Sequence, residues 1–236
     1  MKPLIRLLVL TGIFAVAMAF LESAVVVYLR EIYYPEGFAF PLKMIEGTVG
    51  ITEILREAAT LVMLLFIALL AARSFTERFA WFIFAFAIWD IFYYVFLFLL
   101  LGWPPSLYTW DILFLIPVPW TGPVLAPVLN SLTMILLALL ILRIRIHTDL
   151  FRLTFPEWLL FILGSLITVF SYAENYLRYL HSWFSVSGFY HPDPAGKKVV
   201  YSMMFIPEKF NWPLFALGEI LFFLVILLIV RRMKRR

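Results

Sequence analysis

Eight ionisable residues lie within stretches built otherwise of Leu, Ile, Val, Phe and Ala: Glu22, Glu53, Arg56, Glu57, Asp90, Glu174, Arg178 and Glu219. A central Asp, Lys or Arg costs about 2.5–3.5 kcal/mol to place in a bilayer, and such groups mark ion pathways and proton relays. Their spacing is ordered. Glu53, Arg56, Glu57 and Thr60 recur at i, i+3, i+4 and i+7, on one helical face. Ser171, Glu174, Arg178 and His181 also share a face, at i, i+3, i+7 and i+10, with Glu174 and Arg178 set for an i,i+4 ion pair. Tyr93 and Tyr94 follow Asp90 within one turn, where their hydroxyls could orient its carboxylate, and Asn130, Tyr172 and Asn175 offer neutral polar groups.

Charge decides what such a cluster would do. Six acids face only Arg56 and Arg178, a deficit of four positive charges, or three if Arg30 folds inward. Carboxylates shielded from water take up protons or bind cations. At least two of the six are therefore expected to carry a proton or to sit against a cation. The plainer reading is that Glu53–Arg56 and Glu174–Arg178 are structural pairs that fix helix rotation. It does not extend to Glu22, Glu57, Asp90 and Glu219, which have no obvious local cation.

Other chemistries are excluded by what is missing. With no cysteine there is no disulfide framework, thiolate nucleophile or Cys-built metal site. No acid has a His three residues later, as di-iron helices require. The three histidines, His147, His181 and His191, lie at the edges of apolar runs or in a loop, unsuited to bundle haem ligation. There is no His-Glu-x-x-His helix, Walker loop or nucleophile elbow. His181 and His191 with Asp193 or Glu208 could form a loop metal site, and Met203-Met204 hints at copper, but interfacial packing explains both. The sequence identifies no catalytic residue and no cofactor.

These residues need elements that cross a membrane. The chain has 236 residues, of which 64% are hydrophobic and 14% charged, against about 25% charged in soluble domains. Mean hydropathy is +0.97. Apolar runs at about 7–29, 48–72, 79–101, 122–144, 157–181 and 211–230 are each long enough to cross roughly 30 Å of hydrocarbon. In lipid the backbone must satisfy itself, so these runs are helices. The expected fold is all-α, a single membrane domain over 1–236 with six spans, no internal repeat and no linker.

Orientation follows from the basic residues. An N-inside start places Lys2, Arg6, Arg73, Arg78, Arg143, Arg145, Arg152 and the tail Arg231, Arg232, Lys234, Arg235 and Arg236 inside, twelve of nineteen, while 102–121 has none. Both termini are then cytoplasmic, in a bacterial or archaeal cytoplasmic membrane. The net charge of +4 belongs to this pattern and to anionic lipid headgroups at the tail rather than to nucleic acid. Lys2, Arg6 and Ala17-Met18-Ala19 resemble a signal peptide with its cleavage site. The apolar run continues through Val25, Val26 and Val27, favouring an uncleaved first span. On this frame Asp90 lies near the midplane and Glu22, Glu57 and Glu219 roughly 10–15 Å below the outer surface, with Glu53 and Glu174 shallower.

Two outer loops stand out. Residues 103–127 hold Pro104, Pro105, Pro117, Pro119, Pro123 and Pro127. Residues 110–120 are therefore expected to be extended, as a greasy interfacial loop in preference to a re-entrant one. Thr121 is placed as the cap of the fourth helix, with Pro123 in its first turn. The loop 182–210 is polar and aromatic, suited to the headgroup layer or to a protein partner. The leading expectation is a binding or translocation protein with an outward-facing cavity for protons, a cation or a small cationic solute, lined by Glu22, Glu57, Asp90, Glu174 and Glu219. Arg56 and Arg178 would balance charge or hold an anionic group. The alternative is a non-catalytic subunit of a larger assembly, with the aromatic load, 25 Phe, 11 Tyr and 8 Trp, serving a quinone. A lipid- or quinone-modifying enzyme comes last.

Overall fold

The structure, a computed structural model, describes residues 2–43, 47–148, 151–187 and 204–235. Among these are six long helices: α1 Lys2–Tyr33, α2 Gly47–Ala71, α3 Phe75–Leu101, α4 Leu125–His147, α5 Phe155–Ser187 and α6 Trp212–Lys234. Each contains a stretch long and apolar enough to cross a bilayer. The chain is a multi-pass membrane protein. Among the described residues the strands are those of one two-stranded hairpin, β1 Trp110–Phe114 and β2 Trp120–Pro123. The first helix runs unbroken through Ala17-Met18-Ala19.

Helix ends follow local chemistry. Ser74 accepts from the Glu77 N–H at 3.3 Å and donates its hydroxyl to the Glu77 carboxylate at 2.8 Å, so α3 begins with a capping box. It ends at Gly102, whose φ of 65° is a left-handed value that favours glycine. Asn211 caps α6 by accepting from the Leu214 N–H at 3.1 Å. The start of α4 differs from expectation. Thr121 and Pro123 belong to β2, the helix opens at Leu125, and Val124 at the cap position offers no side-chain bond. The Val124 and Leu125 N–H groups instead donate to the Thr109 and Leu107 carbonyls, at 3.0 and 2.7 Å. Backbone from the preceding loop thus replaces a side-chain cap. Pro127 lies in the first turn of α4, where no intrahelical donor is lost.

Packing divides the bundle into two ends. At one, Ala68, Trp81, Ile141, Phe151 and Ile229 form a core joined by Leu4, Leu8 and Met233, so both chain ends lie there. Arg145 meets Glu77 at 3.1 Å and Arg232 meets Glu157 at 3.0 Å at this basic end. A second cluster of Ala15, Met18, Ala19, Leu64, Ala85 and Trp89 joins α1, α2 and α3. Opposite lies the hairpin end, where Ala126, Tyr172, Phe210 and Phe215 pack together.

The extended reading of 110–120 matches strands, but the hairpin does not lie loosely across the bundle mouth. Thr121 and Val124 have no exposed surface, and β2 packs on α5 and α4. Gly122 admits this approach, since a Cβ there would lie 3.2 Å from the Phe210 ring. Non-helical backbone among membrane helices is tolerated where protein or a cavity surrounds it.

Candidate functional site

A cavity of about 530 Å³ opens between α1, α2 and α3 at the hairpin end. Helix α1 contributes Glu22 and Arg30, α2 contributes Glu53, Arg56 and Glu57, and α3 contributes Asp90, Tyr93 and Tyr94. The hairpin adds Asp111 and Leu115, and the 34–43 segment adds Tyr34, Phe38 and Lys43. Tyr34 holds that segment in place: its phenol oxygen accepts from the Lys43 N–H at 2.6 Å. Burial pushes the phenol pKa up, against the pull of that hydrogen bond.

Two guanidinium groups are already engaged. Arg56 forms ion pairs with both Glu22 and Glu53, and its Nε donates to Glu53 at 2.9 Å. Thr60 donates to the other oxygen of Glu22 at 3.0 Å. Glu22 and Glu53 are each 8% exposed, so removing the arginine would strand two shielded acids. Arg30, in the last turn of α1, meets Asp111 at 3.3 Å and lies 3.8 Å from the Trp103 ring centroid. It neutralises a buried acid while stacking on an aromatic face.

Two of the cavity's acids have no cation among the described residues, and a third, Asp111, is only partly satisfied. Glu57 accepts the Leu115 N–H at 3.0 Å, tying the hairpin to α2. Asp90 accepts the Ser131 hydroxyl at 2.8 Å, tying α3 to α4. Among the described residues neither has an ion-pair partner. Asp111 is 2% exposed and only one of its oxygens is engaged; Oδ2 is buried without a hydrogen bond. Burial pushes its carboxyl pKa up to about 6, against the pull of Arg30, the Ile112 N–H and the Tyr94 hydroxyl. The buried Trp89 indole N–H also lines this cavity without a partner. Five carboxylates thus meet two guanidinium groups, with Lys43 exposed among the other lining residues.

Of the ten residues singled out in the sequence, Glu22, Glu53, Arg56, Glu57, Asp90, Tyr93 and Tyr94 line this cavity. Glu174, Arg178 and Glu219 do not. Glu174 pairs with Arg178 and accepts from Asn211 at 2.7 Å, joining α5 to α6, and the Arg178 side chain is 75% exposed. Glu219 accepts from Thr133 at 2.6 Å in a separate contact between α6 and α4. Similar depth in the bilayer did not mean a shared pocket, because the rotation of α5 and α6 turns these acids to other neighbours. The tyrosines also differ from expectation: the hydroxyl on Asp90 is that of Ser131, whereas Tyr94 serves Asp111.

Asp111 and Ser131 were missed. Asp111 had a readable signal, being the only acid in the proline-rich segment 103–127, which has no basic residue. Ser131 had none. Among the described residues no group of three His, Asp or Glu is set to hold a metal ion. Of the loop metal and partner readings, His191, Asp193 and Met203 lie outside the described residues, as does most of 182–210.

The arrangement can hold positive charge in a partly apolar chamber, with backbone and hydroxyl donors fixing the acids that would receive it. No family model matches this sequence, and no curated protein or solved structure is significantly similar to it.

Proposed function

We propose that this chain is a membrane-embedded binding protein, and through the same site a translocation protein, for a positively charged solute. The observation that carries this reading is the mismatch of charge in the cavity. Arg56 is taken by Glu22 and Glu53, and Arg30 by Asp111, leaving Glu57 and Asp90 facing the same chamber without a basic partner. A cation between them would supply the missing charge at low dielectric, where such pairing is strong. The aromatic rings of Trp89, Tyr93 and Tyr94 line the same wall and favour an organic ammonium group. The basic residues at the other end argue for cytoplasmic termini and a cavity on the outer side of a cell membrane, with the basic tail on anionic headgroups.

The test is binding and uptake by the purified chain in liposomes. Glu57→Gln and Asp90→Asn retain the hydrogen-bonding shape but remove charge, and each is expected to weaken ammonium binding about tenfold or more. Thermal unfolding of both should stay close to wild type. Unchanged binding and flux in the double variant would end the proposal.

A further inference from the structure

From the shape of the same chamber, and resting on the function proposed above, we infer that its ligand is an amphiphile: an ammonium head held by Glu57 and Asp90 with an alkyl tail in the α1–α2 cleft. Helix α2 packs chiefly on α3 and only lightly on α1. Beside the Glu22–Arg56–Glu53 ion pairs that join α1 to α2, Val26 and Leu29 of α1 and Ile51 and Ile54 of α2 also line the cavity. The last two line the cavity yet are 62% and 49% exposed on the bundle surface. In a membrane-spanning helix that surface meets acyl chains, so the chamber opens sideways into lipid. Toward the loops Phe38, Leu42 and the hairpin residues Leu113–Leu115 also line it.

The chamber thus offers both a polar and an aliphatic lining. The polar lining includes the two acids without bases together with Asp111 and Trp89, whose Oδ2 and indole N–H are buried without a partner. The aliphatic lining comprises Val26, Leu29, Ile51 and Ile54, the last two also exposed. A small hydrated cation uses only the polar lining. An amphiphile entering from the bilayer uses both.

The experiment uses the full chain in dodecyl maltoside micelles, whose neutral heads already compete for any merely greasy groove. A dodecyltrimethylammonium analogue with a mid-chain diazirine is photolysed and its insertion sites are mapped. Saturable insertion is expected at Val26, Leu29, Ile51 or Ile54. Excess dodecyltrimethylammonium should suppress it about tenfold, tetramethylammonium far less and dodecyl sulfate not at all. Glu57→Gln and Asp90→Asn should each reduce it, and saturable insertion left unchanged in both variants overturns the placement of the head. Insertion spread around the lipid-facing perimeter, or equal suppression by dodecyl sulfate, overturns the inference. So does equal suppression by tetramethylammonium, which leaves the cation site standing as one filled from water. If neither cation, long or short, binds the chain, the proposed function falls as well.

Discussion

From Thr60 to Ala68, α2 packs through Leu64, clustered with Ala15, Ala19 and Ala85, and through Ala68, clustered with Ala80 and Trp81; Leu64, Ala68 and the four other alanines have no exposed surface. From Gly47 to Glu57 the same helix lines a cavity. The buried stripe is continuous, Glu53, Glu57, Thr60, Leu64 and Ala68, so helical periodicity alone does not separate the halves. Side-chain size and charge do. Alanines let backbones approach until the space is filled, as in any close-packed interior. Glutamates and arginines bring longer side chains that pair with one another and leave a chamber between backbones. A buried stripe in a membrane helix can therefore be core at one end and site at the other.

The comparison can be broken most forcefully at Arg56. Arg56→Met leaves Glu22 and Glu53 without their cation, and removing one partner of a buried ion pair typically costs about 3–5 kcal/mol. The chain should lose its cooperative thermal unfolding in detergent, with Arg56→Lys intermediate. If Arg56→Met melts like wild type, the triad is not what holds the cavity's wall.

Next in size is Leu64→Ala in the closed half. Leu64 has no exposed surface, and truncating such a residue costs about 2–5 kcal/mol. Cation binding should survive wherever the fold does. Ile54→Ala on the cavity wall, truncating a side chain 49% exposed, should cost much less stability. Equal losses at the two positions would contradict the contrast between the halves.

Asp111 sharpens the comparison through pH. Its folded pKa of about 6 lies above the ordinary value of 3.8, so between those values the folded state binds the proton more tightly than the unfolded state. Stability from this group is then greatest below about pH 4, falls as pH rises toward 6 and is level above that, a change of about 3 kcal/mol at most. Melting temperature measured from pH 4 to 6 should show this slope, and Asp111→Asn should flatten it. A slope of the opposite sign would mean that the Arg30 ion pair outweighs burial.

The smallest effect is expected at Arg178→Ala. With its side chain 75% exposed and its partner Glu174 also held by Asn211, the change should move stability by less than about 0.5 kcal/mol. Ammonium binding should not change. A large loss of binding would return the α5 acids to the site.

Much of the site could be read from the chain because lipid enforces simple rules. An acid in an apolar run must find a partner, so Glu22, Glu53, Arg56, Glu57 and Asp90 were visible as a group before any geometry. The i, i+3, i+4 spacing of Glu53, Arg56 and Glu57 placed them on one face. Asp111 and Ser131 were not visible in this way. One sits in a hairpin whose depth no hydropathy pattern reports, and the other is a small hydroxyl common in helix contacts. Glu174 and Glu219 were assigned to the cavity because depth can be estimated from sequence position and rotation cannot.

Sequence by itself determined six apolar helices, their approximate ends and the presence of costly charges within them, because bilayer thickness and backbone hydrogen bonding leave few other solutions. Tertiary structure alone decided which charges meet. It pairs Arg30 with Asp111 across a hairpin, turns Glu174 and Glu219 away, and leaves Glu57 and Asp90 facing one chamber. Those outcomes depend on helix rotation and on how closely neighbours pack, which side chains from several helices set together.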